Sequence, residues 1–146
     1  METLSNISRQ FEGINNILAP MVYRDAIEAM KNGDECGAIY MARNRDTYGD
    51  YNISSRAAKY GCLNVIKWLH ENGRNCGTLI LISARYCHFE LVKWLYENIP
   101  IERMYITNVI TDLMEVFEKG EFEEGKDAIL SEIIDWLDDK YMKTQL

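Results

Sequence analysis

Residues Asn64–Asn72, NVIKWLHEN, return as Glu90–Asn98, ELVKWLYEN, with the Lys-Trp-Leu core and the closing Glu-Asn retained. A chain that repeats a unit of this length builds by stacking, because one unit alone cannot bury its apolar face. The likeness extends backwards, pairing Ala58 with Ala84, Tyr60 with Tyr86, Gly61 with Cys87, Cys62 with His88 and Leu63 with Phe89. The unit therefore reads as a short helix, a tight turn and a second helix. Val65, Ile66, Trp68 and Leu69 form a broad apolar stripe on that second helix, which meets Asn72-Gly73, a natural left-handed terminator.

The same landmarks pick out two weaker copies. Ala29–Met41 places Gly33 under Gly61 and Tyr40 under Trp68, and Thr111–Phe122 places Thr111 under Thr78 and Gly120 under Cys87. Asn52, Thr78 and Thr111 read as N-caps of the first helices. Gly33, Gly61 and Gly120 fall at the inter-helix turn, where a positive φ costs least in glycine, and Cys87 is expected to be strained there. The last copy is interrupted by Glu123–Ala128. Its Ile133, Ile134, Trp136 and Leu137 then repeat the stripe late, which predicts a lengthened terminal unit.

Charge is distributed unevenly. Residues 1–100 hold 11 basic and 11 acidic side chains, whereas residues 101–146 hold 5 and 12, so the whole net charge of −7 lies in the last third. The solvent-facing side of a terminal repeat must be polar, and Glu121, Glu123, Glu124, Asp127, Glu132, Asp135, Asp138 and Asp139 meet that need. The sign excludes a phosphate-neutralising nucleic-acid binder and a binder of anionic membrane surfaces. The sequence shows neither the basic start and apolar run of a signal peptide nor a membrane-length apolar stretch, which predicts a cytoplasmic protein. Cys36, Cys62, Cys76 and Cys87 are expected as reduced thiols. Zinc held by His70 or His88 with these cysteines is the metal alternative, but no C-x-x-C spacing supports it, so no metal and no cofactor are expected.

The layout A-A-x-x-G-[HC]-L-x-x-[VI]-K-W-L-x-E-N-G over Ala57–Gly73, echoed by Ala84, His88, Phe89, Val92, Trp94 and Leu95, resembles the ankyrin repeat. Its short period is similar to the K-W-L-x-E-N-G variety common in amoebae and in the large DNA viruses that infect them. The resemblance covers roughly residues 22–122. The family's Thr-Pro-Leu-His opening survives only as Thr78. The segment after Gly73 is too short for a β-hairpin finger, whereas residues 99–110 are long enough for one.

The expected fold is all-α: a single domain, 1–146, forming a helix-turn-helix solenoid of about four stacked ankyrin-like repeats with capping helices at both ends. The cap helix occupies 1–19, with Leu4, Ile7, Phe11 and Ile14 at helical spacing before Pro20. Repeats follow at about 22–48, 49–76, 77–105 and 106–143. The resemblance implies a non-catalytic module that holds another protein on its concave face, a virus–host factor acting in the host cytoplasm if viral. It also implies which residues point into that groove, the two before each turn: Lys31 and Asn32, Lys59 and Tyr60, Arg85 and Tyr86, Glu118 and Lys119. Tyrosine and arginine suit such a surface because each buries a large area behind a polar tip. The same tyrosines can instead cover the helix-turn junction. Trp68, Trp94 and Trp136 are expected to pack between units, and His88 to make a structural hydrogen bond.

Two other readings stand beside it. One is a self-associating scaffold, monomer or weak homodimer, bridged through the N-terminal segment around Phe11. The other is an enzyme or small metal-binding domain, which lacks any P-loop, GxGxxG, HExxH or GxSxG and has only the adjacent Cys87-His88 as a nucleophile–base pair.

Overall fold

The computed structural model describes residues 23–44 and 51–143. The expected cap helix 1–19, with Phe11, lies outside the described residues. All regular structure among the described residues is helical: α1 Ala26–Lys31, α2 Glu35–Asn44, α3 Tyr51–Tyr60, α4 Leu63–Glu71, α5 Leu79–Arg85, α6 Phe89–Asn98, α7 Arg103–Lys119 and α8 Asp127–Lys143. They fall into two compact units that divide after Cys76.

In the first unit α1 packs on α2 and α3, and α4 packs on α2 and α3, so first helix lies on first helix and second on second. That is the stacking of a helical repeat solenoid. The two first helices, which are in contact, carry Ala26, Ala29, Ala57 and Ala58, all nearly solvent-free. Side chains this small let backbones approach closely. Larger residues, Met30, Met41, Val65, Ile66 and Leu69, fill the space between the two layers. Each fully buried side chain of this size stabilises by roughly 1.5–3 kcal/mol. Asp25 starts α1 as an N-cap, accepting from Glu28 N at 2.8 Å, and Glu28 accepts in return from Arg24 N. Asp34 caps α2 by accepting from Gly37 N at 2.8 Å.

The second unit repeats the scheme with longer helices. α5 packs on α6 and α7, while α8 packs on α7, α5 and α6. Its core joins Leu79, Ile80 and Ala84 to Leu91, Leu95, Leu113, Leu130, Ile133 and Leu137. Ser83, fully buried among them, donates its hydroxyl to Leu79 O within its own helix and so leaves no orphan donor. Trp136 of α8 stands edge-on to Phe89 and Tyr96 of α6, with ring centroids 6.0 and 5.3 Å away. It is half-buried and packs between helical pairs as expected; Trp68 and Trp94 are half-buried too.

The recurring Asn after the tryptophan has a local job. Asn72 Nδ2 donates to Trp68 O at 2.7 Å, Asn98 Nδ2 to Trp94 O at 2.9 Å and Asn44 Nδ2 to Tyr40 O at 2.8 Å. Each amide thus turns back onto the last turn of its own helix, where at Trp68 O it joins the backbone N–H of Asn72, 3.1 Å away. In the last pair Lys140 holds the corresponding place and lies over the Trp136 ring at 5.3 Å.

The N-cap readings of Thr111 and Asn52 are corrected, Thr78 keeps the position without the bond, and residues 99–110 do not use their length for a finger. Thr111 does not begin a helix: it lies inside α7, and its hydroxyl donates to Thr107 O at 3.0 Å. Residues 99–110 form no finger, because α7 starts at Arg103 and draws Tyr105, Ile106, Val109 and Ile110 into one helical stripe. Only 99–102 remain as a connection, extended through Ile99 and Glu102, with Pro100 unable to continue α6. Tyr105 OH then donates to Thr78 O at 3.0 Å, tying the start of α7 to the start of α5. Asn52 lies within α3 rather than before it, and Thr78, though at the N-cap of α5, makes no side-chain cap bond.

Candidate functional site

The four inter-helix turns share one construction. After α1, Gly33 N donates to Met30 O and Asp34 N to Ala29 O; after α3, Gly61 N reaches Ala58 O and Cys62 N reaches Ala57 O. After α5, Cys87 N bonds Ala84 O and His88 N bonds Ser83 O; after α7, Gly120 N bonds Phe117 O and Glu121 N bonds Val116 O. This paired pattern closes a helix around a left-handed residue. That residue is Gly33 (φ 75°), Gly61 (71°), Cys87 (63°) and Gly120 (67°). Cys87 is the one non-glycine with positive φ among the described residues, so the strain read from the sequence is present.

These turns fix the backbone beneath each candidate contact residue. In the first unit Lys31 and Asn32 are exposed, and Asn32 Nδ2 is occupied by Glu28 O at 2.8 Å, closing its own helix. Lys59 and Tyr60 are half-buried, the Lys59 ammonium lying 5.7 Å from the Tyr60 ring centroid. The Cys62 thiol reaches Met30 O at 3.9 Å, which brings the turn after α3 beside the end of α1. Lys31–Asn32 and Lys59–Tyr60 are therefore neighbours. In the second unit Arg85 is exposed and Tyr86 is 48% exposed at the end of α5. Glu118 and Lys119 are exposed on the last turn of α7, and Lys119 is paired with Glu115 one turn back. Cys87 there approaches Lys126 O at 3.8 Å, at the entry to α8.

The electrostatics give no activated nucleophile at these turns. Burial pushes the Cys62 thiol up to about 12, with the Glu35 carboxylate adding to the effect. Burial also raises Cys76. For Cys87 burial raises the thiol, Lys126 pulls it partly back and Glu123 raises it again. A neutral, buried thiol is a poor nucleophile. His88 occupies the N-cap of α6 without a side-chain cap bond, and its backbone N–H closes the turn. His70 is exposed. Among the described residues no three His, Cys, Asp or Glu side chains come together as a metal site would require.

Two polar residues that position the first unit were missed. Asp34, three before Gly37, is legible in hindsight as an N-cap signal. Glu35 is not: it crosses to the next pair, accepting from Asn64 N at 3.0 Å and Asn64 Nδ2 at 3.2 Å. Cys62, the N-cap of α4, makes no cap bond, so the neighbouring repeat supplies the acceptor.

Compared with known families, residues 55–98 match the model for ankyrin repeats (many copies). That span runs from inside α3 to the end of α6. Comparison with curated proteins and with solved structures returns no match. No helix of the described residues is long and apolar enough to cross a membrane.

Proposed function

We propose that the chain is a non-catalytic binding module that holds a partner protein through the side chains at the ends of its first helices. Ankyrin repeats generally mediate protein–protein interaction, and residues 55–98 carry that pattern. The supporting observation is Tyr86: a large aromatic left 48% exposed beside exposed Arg85, on a turn whose backbone is held by two hydrogen bonds. A rigid, amphipathic side chain placed this way loses little entropy on binding. Lys59-Tyr60 carries the same pair of chemistries in the first unit. Lys31, Asn32, Glu118 and Lys119 complete the proposed contacts, with Asn32 contributing least because its amide is engaged. The short-period K-W-L-x-E-N-G pattern supports a viral or amoebal setting, and the lack of a signal-peptide pattern in the sequence supports action in the cytoplasm.

The test is an affinity pull-down from the relevant cell lysate with the parent chain and with Tyr60→Ala and Tyr86→Ala. Each variant is expected to weaken capture of the same partner while melting at the parent temperature. Equal capture by both variants, or a variant that no longer folds, would make these tyrosines structural and remove the assignment.

A further inference from the structure

In the second unit, on the side away from the turns, a cavity of about 420 Å³ opens between the end of α6, the 99–102 connection, the start of α7 and the end of α8. Tyr96, Ile99, Pro100, Ile106 and Tyr141 give it apolar walls, and Arg103 is its cation. The volume is that of a pocket for a small organic molecule. The Arg103 guanidinium lies 5.0 Å from the Tyr141 ring centroid. A cation–π contact of this kind holds the guanidinium near the ring while its N–H groups can still bind a ligand. Arg103 takes no part in the ion pairs of the described residues. A cation outside any of these ion pairs, set beside apolar walls, is a recognition element for a carboxylate carried on an apolar body.

The rest of the surroundings limit that anion to one charge. Glu97 also lines the cavity and sets a negative charge against the single cation there. A multiply charged anion would be repelled by it more strongly than a monocarboxylate, which meets Arg103 and buries its apolar part against Tyr96, Pro100 and Ile106. We propose that this cavity binds an aromatic or branched aliphatic monocarboxylate, through a bidentate contact to Arg103. The site is independent of the first-helix surface and stands or falls separately from it.

The experiment is an amide chemical-shift titration of the full chain with 3-phenylpropionate and, in parallel, its neutral amide. Saturable shifts are expected at residues 97–106 and near Tyr141, with the acid binding about tenfold more tightly than the amide, the effect of one charge-assisted contact in a solvent-open site. Arg103→Met should bring acid and amide to equal affinity, and Arg103→Lys should fall between, since lysine keeps the charge without the planar fork. Arg103 is exposed, and unchanged amide dispersion will show that the variants fold. A third titration uses acetyl-Ala-Ala-Phe with a free terminal carboxylate: tighter binding than 3-phenylpropionate identifies the anion as a peptide end, and weaker binding as a free acid. Absence of saturation, equal affinity for acid and amide, or an acid preference that survives Arg103→Met would overturn the proposal.

Discussion

Removal of the Glu35 carboxylate is the sharpest probe of how adjacent helical pairs are joined in the first unit. Glu35 accepts two hydrogen bonds from Asn64, one from its backbone N–H in the first turn of α4 and one from its side chain. The N-cap residue itself, Cys62, makes no side-chain cap bond. A lost N-cap acceptor costs about 1 kcal/mol, and loss of a carboxylate near a helix N-terminus adds roughly 0.3–1 kcal/mol. Glu35→Ala is therefore expected to destabilise by about 1–2 kcal/mol and Glu35→Gln, which keeps a neutral acceptor, by about half as much. Urea unfolding should show a lower midpoint for both. Amide exchange at Asn64 should quicken more than at residues of α1. A second readout is the Cys62 thiol: with the carboxylate gone its pKa should fall below about 12 yet stay above the ordinary thiol value, because burial is the larger cause. A Glu35→Ala protein within 0.3 kcal/mol of the parent, with Asn64 exchange unchanged, would refute the capping argument.

Gly37→Ala should cost about 1–2 kcal/mol in urea unfolding, because its new Cβ would stand 2.6 Å from Asp34 Oδ2 and displace the cap of α2. Gly120→Ala meets no atom within 4 Å and should cost about 1 kcal/mol through its left-handed backbone alone. Asn98→Ala should cost about 0.5–1 kcal/mol and raise amide exchange in the last turn of α6. The Lys119 hydrogen bond, then its charge, lowers the Glu115 carboxyl pKa, and both groups are solvent-exposed. The pair's contribution is thus present above the unfolded carboxylate pKa and lost as pH falls through the folded one. An NMR titration should find the Glu115 midpoint returning toward its usual range in 1 M salt, where the screening length is about 3 Å.

Much of the scaffold was written locally. The stripe of Val65, Ile66 and Leu69, its copy at Leu91, Val92 and Leu95, and the turn glycines fix the helical pairs within a few residues of themselves, and the left-handed Cys87 followed from its place under Gly61. The errors came where one local signal competed with a longer pattern. Thr111 has the chemistry of a cap, but Ile106, Val109 and Ile110 extend the apolar face upstream, and burial of that face outweighs a single hydroxyl. The site was less legible. The positions of Tyr60 and Tyr86 follow from the turn, whereas the Glu35–Asn64 contact and the cavity around Arg103 join residues far apart in sequence, which no local periodicity encodes.

The empty space around Gly33 and Gly120 also has a consequence for handedness. Since no atom stands within 4 Å of the position an L-type Cβ would take there, torsion rather than crowding excludes other L-residues. A mirror-image alanine prefers that same torsion. Introduced at either turn by chemical ligation, it would narrow the unfolded ensemble at no torsional cost to the native one, leaving the chirality of one atom to decide whether the backbone accepts or resists a methyl group.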